Sequence, residues 1–374
     1  MEPEPAGRHT SLGEIARLFL TLGTIGFGGP AAHVALMEDE VVRRRRWMTR
    51  EAFLDYVGAT NLIPGPNSTE LAISIGRDRA GWPGLVVAGA AFIAPAAGIV
   101  LLIAWAYARY GVLPAAVALL AGVKPVMIAI VAYAVWRLAR TALTSRWLVA
   151  LAAGAAAAAF AGVHELVVLL SAAALAGVVA GGSRAMLLPA LGVASTAPAA
   201  ASLWPLFGIF LKVGSVLFGS GYVLLAFLRA DFVDRLGWLT EQQLLDAIAV
   251  GQVTPGPVFT TATFIGYVLA GFPGAVVATV GIFLPAFVFV AVSGRLVPRI
   301  RRSRVAGAAL DGVNAASLAL MAVVTLQLGR AVFVDVTSVV VAVVALALLA
   351  TGRVNPTWII AGGALIGAGS TLVR

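Results

Sequence analysis

The sequence predicts an all-α polytopic membrane protein of two homologous halves, expected to be inverted-topology repeats with broken or re-entrant helices. Three observations carry that expectation. Of the 374 residues, 60% are hydrophobic and only 11% charged, whereas a soluble domain is about a quarter charged. The apolar residues run in stretches of about twenty, the length that crosses ~30 Å of hydrocarbon as a helix, without the alternation of a barrel strand. Finally, one pattern of glycines and prolines occurs twice.

The repeat is legible residue by residue. Phe19-Leu-Thr-Leu-Gly-Thr-Ile-Gly-Phe27-Gly28 returns as Phe210-Leu-Lys-Val-Gly-Ser-Val-Leu-Phe218-Gly219. In the same register Trp47 maps to Trp238, Asp55 to Asp246, and Pro64-Gly65-Pro66 to Pro255-Gly256-Pro257. After the loss of one residue, Pro83 maps to Pro273, Pro95 to Pro285 and Gly122-Val123 to Gly312-Val313. Such a match points to gene duplication and fusion.

Taken in order, residues 1–11 are polar and lack the basic-then-apolar order of a cleaved signal peptide; they are expected as a cytoplasmic tail. An N-terminal transport repeat, 12–184, holds hydrophobic segments at 12–37, 52–76, 83–108, 113–138, 146–163 and 164–181. A linker, 185–202, is interrupted by Pro189 and Pro198 and is long enough to span the membrane or lie along its interface. The C-terminal transport repeat, 203–374, has segments at 203–228, 244–270, 274–296, 305–330, 331–350 and 357–373. Trp47 and Trp238 fall in polar loops, where interfacial indoles belong.

Basic clusters bear on orientation, since Lys and Arg concentrate on the cytoplasmic side. Arg43–Arg46, Arg137 to Arg146 and Arg295 to Arg304 can all be inside only if segment 52–76 enters and returns on one side, leaving the loop Arg77-Asp78-Arg79 inside as well. The inside cluster then follows the fourth segment of the first half but the third of the second, so equivalent segments run in opposite directions, an architecture of secondary transporters. Parallel repeats with some arginines outside are the alternative. Arg43, Arg44, Arg45 and Arg46 are read as fixing topology and contacting lipid phosphates. The net charge of +9 lies in such clusters, so no nucleic-acid partner is expected.

Candidate chemistry centres on Asn61-Leu-Ile-Pro64-Gly65-Pro66-Asn67-Ser68-Thr69-Glu70. Two prolines around a glycine break a helix, and at membrane depth a break is tolerated only within protein or beside a watery cavity. Asn67 as N-cap with Glu70 three residues on reads as a capping box. The new helix start offers free amides and about half a positive charge, an anion site without a basic side chain. The second half repeats it as Thr254-Pro255-Gly256-Pro257-Val-Phe-Thr260-Thr261, whose threonines supply hydroxyls around the break where the first half has Asn67, Ser68 and Glu70. The bland reading makes each Pro-Gly-Pro a mere turn.

A second break, around Gly28 and Gly29, has its counterpart at Gly219 and Ser220, where glycine permits either close packing or backbone approach to a ligand. His33 follows the first, and with Glu70 it is a candidate for proton coupling, although a lone histidine is more often a packing residue. The two lysines, Lys124 and Lys212, both sit in apolar runs. A cation at mid-membrane costs ~2.5–3.5 kcal/mol, so Lys124 should face a cavity or a partner, whereas Lys212 has the option of snorkelling. Neither a phosphate-binding loop nor a nucleophile elbow is present. Three histidines without cysteine give no metal site. No cofactor and no enzymatic activity are expected.

Phe27-Gly-Gly-Pro-Ala-Ala-His33, Met37-Glu-Asp-Glu-Val-Val-Arg-Arg-Arg-Arg-Trp47, the stretch from Ala59 through Pro64-Gly-Pro66 to Glu70, Ala80-Gly-Trp-Pro-Gly84 and Gly251-Gln-Val-Thr-Pro-Gly-Pro257 together resemble the chromate ion transporter family, over nearly the whole chain. The resemblance implies a multi-pass protein of the bacterial inner membrane that exports chromate and confers resistance to it. Sulfate is the implied competitor, membrane lipid a neighbour, and a homodimer compatible. The residues themselves reach anion transport and no further. The alternatives are an uptake permease for sulfate or another oxyanion and, from another class, a non-transporting membrane receptor or scaffold.

Overall fold

The computed structural model describes residues 10–27, 29–111, 114–181, 202–217 and 223–372. These residues are helical nearly throughout. Short polar residues start several helices: Ser11 caps α1 (Leu12–Ile25), Thr49 caps α3 (Arg50–Thr60) and Ser145 caps α6 (Arg146–Phe160), each accepting from an amide of the first turn. Between α1 and α3, α2 (Gly29–Glu38) continues into a π-helical turn, Asp39–Arg44. The remaining helices are α4 (Asn67–Tyr110), α5 (Pro114–Ala142), α7 (Glu165–Gly181), α8 (Leu203–Val216), α9 (Leu224–Leu228), α10 (Glu241–Val253), α11 (Thr261–Arg302), α12 (Arg304–Val332), α13 (Val336–Ala350) and α14 (Pro356–Leu372). Among the described residues, four helical stretches, in α4, α5, α11 and α12, are long and apolar enough to cross a membrane.

Two of those four are hairpins. In α4 the helix is interrupted at Ala80 (φ −141°, ψ 23°) and Gly81 (φ 63°, ψ −143°), and in α11 at Ala270 (φ −144°, ψ 23°) and Gly271 (φ 64°, ψ −154°). Residues 76 and 84 of a straight helix lie about 12 Å apart. Here the Gly76 backbone packs directly on the carbonyl of Gly84, and Gly266 does the same with Gly274. The arms 67–79 and 82–110 therefore run back along each other, and the positive φ at Gly81 and Gly271 is the left-handed turn that reverses the chain. Pro83 and Pro273 follow in the first turn of the second arm, where a missing N–H costs nothing. Residues 77–79, expected as a loop, form the last turn of the first arm.

The chain divides into two compact units, each drawing on both repeats. The first comprises Met1–Arg109, Ala201–Gly221 and Val250–Val297; the second comprises Tyr110–Ala200, Tyr222–Ala249 and Pro298–Arg374. The first unit has a core of Ile15, Phe19 and Leu22 from α1 with Met37, Phe53, Leu71, Ile75 and Phe92. Trp47 belongs to this core at 5% exposure, with the guanidinium groups of Arg45 and Arg79 each 5.5 Å from its ring. The expectation of an interfacial indole is corrected: cation–π contacts cover the ring instead of lipid headgroups.

The second unit is built by mutual exchange. The long helix of the first repeat, α5, packs on α13 and α14 of the second; its counterpart α12 packs on α6 and α7 of the first. Glycines make these crossings close: Gly122 meets the backbone of Gly363 and Gly367, and its repeat partner Gly312 meets Ala172 and Ala176. A side chain at either position would hold the helices apart.

Candidate functional site

Both Pro-Gly-Pro turns lie in the first unit, and each is tied to the broken helix of the other repeat. The Gly65 amide donates to the Leu217 carbonyl at 2.8 Å, and the Gly256 amide donates to the Gly26 carbonyl at 2.9 Å. Since Gly65 corresponds to Gly256 and Gly26 to Leu217, these are one contact made twice under the repeat symmetry. Gly65 also lies beside Ala286 of α11, and Gly256 beside Ala96 of α4, again an equivalent pair. Neither glycine admits a side chain: φ is +135° at Gly65 and +88° at Gly256, a region L-residues rarely adopt.

At the first turn the Pro66 carbonyl accepts from Thr69 N at 2.7 Å and Glu70 N at 3.1 Å. Pro66 therefore stands in the N-cap place, and Asn67 is the first residue of α4 rather than its cap. The expected capping box does not form. Asn67 Nδ2 instead donates to Asn61 Oδ1 at 2.6 Å, on the exposed side of the turn. The amides of Asn67 and Ser68 stand at the helix start, where no intrahelical acceptor reaches them.

Beneath the turn lies a polar cluster. His33 is 2% exposed; its Nε2 is 2.8 Å from the Gly26 carbonyl and its Nδ1 3.2 Å from Ser68 Oγ. A carbonyl only accepts, so Nε2 carries the hydrogen and, in the neutral ring, Nδ1 accepts from the Ser68 hydroxyl. The Gly26 carbonyl thus takes hydrogen bonds from His33 and Gly256 together. Phe92 meets the imidazole edge-on at 5.4 Å. Glu70 and Thr69 are fully buried, and among the described residues neither carboxylate oxygen nor Thr69 Oγ1 has a hydrogen-bond partner. Such orphaned groups are rare in a folded interior.

The second turn is quieter. Thr260, Thr261 and Thr254 are buried, and their hydroxyls donate to the carbonyls of Pro257 (2.9 Å), Val258 (2.8 Å) and Val250 (3.0 Å). Pro255 and Pro257 are buried with them, while Pro64 is half-buried. The positions matching His33, Ser68 and Glu70 are Leu224, Phe259 and Thr261, so the titratable cluster belongs to the first turn alone.

Lys124 is placed in the second unit. Its ammonium lies 3.1 Å from Asp246 Oδ1, with side-chain exposures of 7% and 3%, although the approach is off the hydrogen-bonding direction at that oxygen. Asp246 is a functional candidate that sequence reasoning passed over; its signal was an acid inside the apolar run Leu244-Leu-Asp-Ala-Ile-Ala-Val250. Lys212, in α8 of the first unit, is half-buried, and Gly29 opens α2 at φ +76°. Gly28, Gly219 and Ser220 lie outside the described residues.

In the arginine run, Arg44 pairs with Asp39 and Glu40, and Arg45 with Glu14 and Glu40. These residues, with Arg17, line a cavity of about 800 Å³ against α1 and α2. Three cations there face three acids, and no residue of either Pro-Gly-Pro turn lines it. It is not the place to look for a dianion.

The sequence profile of the chromate transporter family matches this chain twice, over residues 13–178 and 204–368. The chain belongs to the chromate transporter family. The double match coincides with the two halves read from the internal repeat, and it makes this chain a transporter rather than an enzyme. It is 31% identical to a chromate transport protein of Cupriavidus metallidurans, covering 96% of this chain and 92% of that protein. Identity is again 31% to a chromate transport protein of Pseudomonas aeruginosa, over 83% and 80% of the two chains. An uncharacterised transporter of Methanocaldococcus jannaschii is 24% identical over 88% of each. No solved structure matches.

Proposed function

We propose that this member of the chromate transporter family is a secondary transporter that exports chromate across a bacterial inner membrane and so gives chromate resistance. The observation that carries the reading is the pair of broken helices, cross-tied between repeats, the first of them set over buried polar groups that have no partner among the described residues. A scaffold has no use for breaks of this kind, because irregular backbone at membrane depth is tolerated only where protein or a cavity satisfies it. Helix-start amides and the Thr69 hydroxyl, which has no partner among the described residues, are donors suited to a tetrahedral dianion. Sulfate, with the same charge and shape, competes for them. The test is uptake of labelled chromate by everted membrane vesicles, whose cytoplasmic face is outward. Energised uptake that excess sulfate suppresses is expected. Accumulation by right-side-out vesicles alone would make the protein an uptake permease.

The two repeats are further proposed to lie with opposite orientation in the membrane, with α3 and the first arm of α4 entering and leaving on one side. The opposed placement of the basic clusters supports this, and the absence of native cysteine makes it testable. Single cysteines replacing Gly111 and Ser303, at equivalent junctions of the two halves, are expected to react with an impermeant maleimide from opposite faces of the membrane. Reaction of both from the same face contradicts inversion.

A further inference from the structure

We propose that Glu70 carries an exchangeable proton bound together with the oxyanion, so that one proton crosses the membrane in the same direction as each anion. The inference rests on the transport reading and names its coupling ion. Glu70 is fully buried in the first turn of α4, and neither of its carboxylate oxygens has a hydrogen-bond partner among the described residues. It lies under the Pro64-Gly65-Pro66 turn, so close that a Cβ added to Gly65 would fall on Oε1. The carboxyl therefore sits at the helix start where the anion is proposed to bind.

Charge decides how it takes part. A carboxylate beside a dianion in a low-dielectric site repels it strongly, and no described cation stands by to compensate. A carboxylic acid does the opposite. Its O–H donates to an anion oxygen in a charge-assisted hydrogen bond, adding to the free amides of Asn67 and Ser68. The proton comes from solution, stays on Glu70 while the anion is held, and leaves with it on the far side. No bond within the oxyanion changes.

His33, the other titratable group at the turn, is not suited to the task. It faces the cluster from α2 with Nε2 committed to the Gly26 carbonyl and Nδ1 to Ser68. Charging it would put a hydrogen on Nδ1, which could then no longer accept from Ser68, while Nε2 kept its bond to Gly26. Beside Gly65, α11 presents Ala286 and the end of α8 presents the Leu217 carbonyl; the titratable group of α8 is Lys212. The second turn has Thr261 in place of Glu70, which limits the count to one proton.

Linkage makes this measurable, because a proton taken up on anion binding strengthens that binding and is strengthened by it. Where Glu70 is ionised in the free protein, anion affinity should fall about tenfold for each unit rise in pH. The experiment is calorimetric titration of the full-length protein in phospholipid nanodiscs with chromate, at a pH where chromate is fully the dianion. It is repeated in two buffers of different ionisation enthalpy. About one proton is expected to be taken up per anion bound by the parent protein, and none by Glu70→Gln, whose amide N–H stands in for the O–H. Anion binding by the parent without proton uptake, at an affinity that also does not fall as the pH is raised, overturns the inference alone, as does uptake that persists in Glu70→Gln. Absence of any chromate binding by the parent overturns the transport-site reading as well.

Discussion

Gly65→Ala and Gly256→Ala are each expected to lower chromate transport about tenfold or more while the protein still inserts. Both glycines hold positive φ, at +135° and +88°, where an alanine costs roughly 1–2 kcal/mol. Both also lack room. The new methyl would meet the Glu70 carboxylate at one turn and the Ala96 methyl, 2.7 Å away, at the other. Overpacking of this kind typically costs about 1–3 kcal/mol, and a rise of ~1.4 kcal/mol in the barrier is already tenfold. Relief of the clash has to move the turn, and with it the Gly65–Leu217 or Gly256–Gly26 hydrogen bond. Gly162→Ala is the control. It has a similar φ, +79°, with nothing within 4 Å of the added carbon, so it bears the backbone cost alone. Equal activity of all three variants would mean that the turns do not need their observed shape.

Lys124→Gln is expected to destabilise the protein by about 3–5 kcal/mol, the usual result of stranding one partner of a buried ion pair. The sequence alone suggests a milder outcome, with insertion intact, because deleting a lone buried charge relieves a cost. The partner reverses that sign: Asp246, 3% exposed on its side chain, would lose the ammonium beside it. Lys124→Gln combined with Asp246→Asn is expected to recover most of the lost thermal stability, since a neutral pair carries no such penalty. Transport by the double variant then separates two roles. Recovery of flux along with stability makes the pair structural; a stable but inactive double variant places the lysine on the anion's path. Parental melting of Lys124→Gln alone contradicts the pairing.

The repeat, the helical segments and the two broken turns were legible because each rests on residues with one strong local meaning. Pro-Gly-Pro stops a helix wherever it falls, whereas the reversals at Ala80-Gly81 and Ala270-Gly271 came from the structure. What stayed hidden depends on residues far apart in sequence. A duplication says that Gly65 and Gly256 are equivalent, but not that each docks on the other repeat through Leu217 and Gly26. Nor does it say that α5 packs against α13 and α14. The partner of Lys124 lies in α10, far along the chain, and an isolated lysine gives no hint of where its counter-charge will come from. At shorter range, Asn67 was misplaced because Pro66, with no amide to satisfy, took the cap position and left the asparagine free to reach Asn61. Trp47 looked interfacial until Arg79, arriving from the end of the α4 arm, covered it.

The Pro-Gly-Pro turns are proposed to form the anion's binding place in a transporter. This is tested most directly by flux of labelled chromate into proteoliposomes of the purified parent and of the triple variant Pro64→Ala, Gly65→Ala, Pro66→Ala. Three alanines favour a continuous helix where the break now stands, withdrawing the free amides of Asn67 and Ser68. The parent is expected to move chromate, and the triple variant, inserted to the same level, to move none above the empty-liposome rate. Parental flux by the triple variant would place the site elsewhere, and chromate binding by the parent with no flux under any imposed gradient would contradict transport itself.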